Sequence, residues 1–110
     1  MMYKMEDQKK KALSEAIEDY FKNNCTGYSR LEEGNVKLTF DKDDTRCVIH
    51  LEKMYKGIGD WVNFERLTWL SKLLNTQNIN LGQSRYTRGC DTCDYGSRDE
   101  IDITCDDINP

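Results

Sequence analysis

The chain predicts an α+β fold in which two helices pack on one face of a mostly antiparallel four-stranded sheet, in the order α-β-β-α-β-β. Three observations carry this. Two stretches repeat apolar residues every three or four positions, as half-buried helices do. Two others alternate apolar and polar residues with period two on either side of a polar turn. The 110 residues match one ordinary domain, so all four stretches are expected to share a single core across 1–110.

The first helix is expected from about Asp7 to Asn24. Leu13, Ile17, Tyr20 and Phe21, with Ala12 and Ala16, form its apolar stripe, and Lys9 to Lys11, Glu15, Glu18, Asp19 and Lys22 take the opposite face. Asn23-Asn24 and Gly27 stop it. A hairpin follows over Asn35 to Lys53. Val36, Leu38 and Phe40 precede the turn Asp41-Lys42-Asp43-Asp44, and Cys47, Ile49 and Leu51 follow it, with Cys47 inward and His50 outward.

Gly57-Ile58-Gly59 is read as a chain break before the second helix, Asn63 to Leu74, with Asn63 as its N-cap. Leu67, Leu70, Leu73 and Leu74 give its stripe; Trp61 is placed to pack over its first turn, and Trp69 falls beside the stripe. The last hairpin spans Asn78 to Asp107. Its first strand runs from Ile79 through Tyr86, with Gly82 marking a bulge, and its second alternates Ile101, Ile103 and Cys105 with Asp102, Thr104 and Asp106. Its tip lies between Gly89 and Arg98.

Composition narrows the function classes. Charged residues make up 33% of the chain and hydrophobic ones 37%, so a thin core under a charged surface is expected. Twenty acids against sixteen bases give a net charge of −4. Seven acids (Asp91, Asp94, Asp99, Glu100, Asp102, Asp106, Asp107) meet one base, Arg98, between Asp91 and Asp107. Such an end repels phosphate backbones, so no direct nucleic-acid binding is expected, and a basic protein surface suits it better. No stretch is apolar enough to span a membrane, and the polar start shows no export signal. The expected compartment is the cytoplasm, where five cysteines remain thiols.

One motif carries chemistry. Cys90 and Cys93 stand in a Cys-x-x-Cys at the hairpin tip, a spacing that can hold half of a tetrahedral zinc site. No second pair exists; Cys25, Cys47, Cys105 and His50 are the remaining ligand types, and a dimer joined at its tips is the other way to four thiolates. A redox role is disfavoured, because the motif lies between strands and Asp91, Asp94, Asp99 and Glu100 oppose thiolate formation. The preferred reading is a tight turn, with zinc second.

No catalytic set emerges. His50 is the sole histidine and faces away from Cys47; Asp41, Asp43 and Asp44 lack a calcium-loop register; Gly57-x-Gly59 lacks a phosphate-loop context. Tyr28, Tyr55, Trp61, Trp69, Tyr86 and Tyr95 lie in loops or at element ends, where aromatic residues serve as interface anchors. The expected function is a binding module, not an enzyme, that occupies a partner's surface in the manner of immunity proteins or phage-encoded inhibitors of bacterial defence and nucleic-acid enzymes. Asp91, Asp94, Tyr95, Asp99, Glu100 and Tyr86 are the expected partner-binding residues. The alternatives are a zinc-stabilised hairpin module using Cys90 and Cys93, and a small-ligand sequestering protein or enzyme with a site shared between subunits of a homo-oligomer.

Overall fold

The computed structural model describes residues 6–23, 35–54, 57–89 and 96–110. Three helices and five strands follow in the order α1 (Asp7–Asn23), β1 (Val36–Phe40), β2 (Arg46–Met54), α2 (Ile58–Trp61), α3 (Phe64–Leu74), β3 (Asn78–Leu81), β4 (Arg85–Thr87) and β5 (Arg98–Asp106). All pairings are antiparallel. The sheet runs β1-β2-β5-β3, and β4 also pairs with β5 beyond the end of β3.

The α+β class is therefore as the alternation dictates, with five strands in place of four. The difference lies at Gly82, in the segment expected to form one strand to Tyr86. Gly82 donates its N–H to the Asp102 carbonyl at 2.8 Å. A Cβ there would sit 3.2 Å from that same oxygen, a tight approach at which β5 would have to give by a few tenths of an ångström. The edge strand divides into β3 and β4 around this approach.

The inward face is apolar because period two places every second residue there. Cys47, Ile49, Leu51, Ile101, Ile103 and Cys105 are buried from β2 and β5, and Leu13, Ile17 and Phe21 from α1 meet Leu70 and Leu74 from α3 over them. The expected cysteine parity holds: Cys47 and Cys105 are fully buried and directly opposite each other. Aromatic contacts lock the helices together. Tyr20 of α1 stacks on Trp69 of α3 with centroids 3.8 Å apart and planes 3° from parallel, and Phe21 meets Trp61 edge-on at 5.6 Å.

Local chemistry sets the element ends. Asn63 caps α3 by accepting the Arg66 N–H at 3.1 Å. Trp61 covers this first turn, with the Arg66 guanidinium 4.7 Å from its ring centroid. Asn75, left-handed at φ 52°, closes the helix. The C-terminal segment then anchors it, as Asn109 donates to the Leu74 carbonyl and Ile108 to that of Thr45. The turn between β1 and β2 is built on Asp41. Its carboxylate accepts the Thr45 and Arg46 N–H groups at 2.8 and 3.0 Å and the Thr45 hydroxyl at 3.0 Å. These oxygens serve the turn itself, consistent with the failed calcium register.

One expectation is overturned. Gly57-Ile58-Gly59 does not break the chain but starts a single helical turn, closed by Trp61 N–H to Gly57 O at 3.0 Å and Val62 N–H to Ile58 O at 2.9 Å. Gly57 sits at φ +100°, a conformation that side chains resist. The missing side-chain cap is supplied from β5: Asp99 Oδ2 accepts the Gly57 and Ile58 N–H groups at 2.8 and 3.0 Å. Ile58, fully buried, anchors the turn in the core.

Candidate interaction surfaces

Two surfaces carry the functional residue types. The first is the outer face of the sheet. Among the described residues, both long helices bury their side chains on the other face. Strand pairing aligns Lys37-His50-Asp102, Glu52-Glu100-Arg85 and Arg46-Asp106-Asn78 across it, with Arg98 beyond. Four cations (Lys37, Arg46, Arg85, Arg98) thus share the face with four carboxylates (Glu52, Glu100, Asp102, Asp106), so the outer face is a balanced charge lattice and not an acidic one.

Most of these charges are joined. Arg46 pairs with Asp106; Arg98 Nε lies 3.3 Å from Glu52, and Arg85 lies 3.4 Å from Glu100 and 3.5 Å from Asp102. His50 Nδ1 and Asp102 Oδ1 are 2.7 Å apart. Desolvation pushes the Asp102 carboxyl up, but the His50 hydrogen bond and the Arg85 charge outweigh it and hold it below its ordinary value. An ionised carboxylate only accepts, so Nδ1 is the protonated nitrogen. This fixes the ring, yet Cys47 faces the opposite side of the sheet, so it forms no couple with His50.

Donor atoms of His50, Glu52 and Glu100 lie within 4.8 Å of one another, the loose outline of a three-ligand metal site. Both glutamates are held by arginines, which a cation would have to displace. The cluster reads as part of the lattice.

The sequence-predicted binding residues separate in space. Cys90, Asp91, Cys93, Asp94 and Tyr95 lie outside the described residues, as do Cys25, Tyr28 and Tyr55. Asp99 and Glu100, adjacent in sequence, point to opposite faces. Glu100 is on the outer lattice, whereas Asp99 is 4% exposed and spends one oxygen on the α2 backbone, so it cannot steer a partner from the surface. Tyr86 faces the same side as Asp99, its partner in register. Cys47 and Cys105 are sealed in the core, with Cys105 seven residues along β5 from Arg98, about 23 Å at strand rise. Burial pushes both thiols up to about 12.

The second surface is one that sequence reading missed. Phe64, the first residue of α3, is 84% exposed. Two open clefts flank it. One, about 410 Å³, is lined by Leu67, Thr68, Ser71 and Ile79; the other, about 500 Å³, by Tyr20, Glu65, Trp69 and Lys72. An aromatic ring thus stands proud between two part-apolar grooves, one of them floored by the Tyr20–Trp69 stack. The signal was available. Phe64 lies off the Leu67-Leu70-Leu74 stripe, on the side of Thr68 and Lys72, where a helix needs no aromatic residue for its core.

No family model matches the chain, and neither a curated protein nor a solved structure matches it.

Proposed function

We propose that this protein is a non-catalytic protein-binding module that acts by occupying a partner's surface, as inhibitors and immunity proteins do. The observation that supports it best is Phe64, exposed to 84% at the head of a capped helix between two clefts. Large exposed aromatics are costly to keep in water and are the residue type that dominates binding energy when a partner covers them. The Tyr20–Trp69 stack beside it is held rigid by packing, so little side-chain freedom is lost on docking. The net charge of −4 favours a partner with a basic surface, and it does so through the field of the whole molecule. The outer lattice supports this less, since its charges already neutralise one another.

The test is comparative affinity purification of tagged wild type, Phe64→Asp and the distant control Lys42→Ala from the native cells. A stoichiometric protein recovered with wild type and the control, and lost with Phe64→Asp, supports the proposal. Equal recovery with all three places the interface elsewhere, and no stoichiometric partner at all removes the reading.

A further inference from the structure

Phe64, Thr68 and Lys72 stand four residues apart on α3 and line both clefts, so they form one ridge between two grooves. A surface that carries a ridge and a groove side by side is complementary to a copy of itself, which is what a two-fold interface requires. Each groove offers an apolar floor for a second Phe64 ring. Leu67 and Ile79 supply it on one side, Tyr20 and Trp69 on the other.

Charge selects the same occupant. Glu65 and Lys72, both exposed, line one groove from opposite ends. Seven residues separate them, about 10 Å along the helix axis, too far to pair with each other. Neither has an ion-pair partner among the described residues. Two α3 helices laid antiparallel about an axis between Thr68 and Trp69 bring Glu65 to Lys72 of the partner subunit, because both residues are equally far from that point. We infer that a second copy of this chain docks on the ridge, with the two α3 helices antiparallel, each Phe64 in the other's groove and an ion pair at both ends. The antiparallel crossing also sets the acidic first turn of each helix beside the basic last turn of the other. The ring supplies most of the affinity, and the charges fix the register. One helix per copy is a small interface, so the pair dissociates on dilution. This pairing rests on the reading of the ridge as an interface, and a copy covers the ridge until the protein partner takes its place.

The test is sedimentation velocity of the full chain over a concentration series reaching millimolar, with Tm recorded for each variant. Wild type is expected to pass from monomer to dimer. Phe64→Asp should weaken association by about thirtyfold or more, and at an 84% exposed position it should leave the fold intact. Glu65→Lys and Lys72→Glu should each weaken it severalfold, since either change sets like charges together at both ends of the pair. The double variant restores opposite charges and should regain the wild-type dimer. A dimer indifferent to Phe64→Asp, single charge variants as strong as wild type, or a double variant no better than the single ones overturns the pairing. A wild type that stays monomeric also overturns it, and a different protein still recovered through Phe64 would then leave the binding reading standing, so the two fail separately.

Discussion

Asp41 shows how one side chain can organise a turn. Its carboxyl is held below the ordinary carboxylate range, chiefly by the Arg46 backbone N–H, with Thr45 adding to it against a smaller desolvation effect. A depressed folded pKa means that the stabilisation is fully present above the unfolded value near 4 and is lost as pH falls through the folded one. Asp41→Ala should therefore lower Tm at pH 7, and the gap to wild type should close as acid titrates the turn. A gap that stayed constant down to pH 2 would show that the carboxylate is not the organising group. The buried thiols allow a second expectation. Desolvation raises both Cys47 and Cys105 to about 12, so neither should react with iodoacetamide until the chain unfolds, as read by peptide mass mapping. Labelling of either in the native state would contradict the packing described.

At the scale of elements, legibility follows the range of the forces involved. The N-cap of α3 was readable because Asn63 and the Arg66 amide are three residues apart, and Asn63→Ala should cost about 1 kcal/mol in chemical denaturation. The hairpins were readable because alternation is local. The α2 turn was not, since Asp99 caps it from forty-one residues away, and no neighbouring residue announces that bond. Splitting of the edge strand depends likewise on how closely Gly82 passes β5. Gly57→Ala should be destabilising by about 1–2 kcal/mol, because the left-handed backbone at its φ of +100° resists a Cβ. An unchanged stability would mean that α2 can start without that conformation. Asp99 was placed on the binding surface for a reason that parity could have corrected. Asp99 shares its face with Ile101 and Ile103, and Glu100 shares the other with Asp102. Counting acids along the chain hid that division.

For the whole molecule, β2 and β5 form the spine, flanked by β1 on one side and the divided edge strand on the other. Ile103 lies at its centre between Ile49 and Leu81 and is fully buried. Ile103→Ala should therefore cost about 2–5 kcal/mol, a large fraction of the stability of a domain this size. A loss well under 1 kcal/mol in a denaturant titration would mean that the core is not organised on this spine. The surface divides into a charge-balanced sheet face and a helix face with an aromatic ridge that Phe64 crowns. Of the residues on that ridge, Trp69 and Tyr20 are legible from the sequence as helix aromatics, whereas the exposure of Phe64 follows only from its phase on α3, off the apolar stripe.

The proposed binding role of this ridge is tested most directly by isothermal titration calorimetry of wild type and Phe64→Ala against the partner recovered by affinity purification, with Tm recorded for both. A ring that is 84% exposed contributes little to the fold, so Tm should stay close to wild type. Affinity should fall about thirtyfold, the loss of roughly 2 kcal/mol typical of a buried aromatic anchor. Full affinity in the Phe64→Ala protein would contradict the account and move the interface off α3.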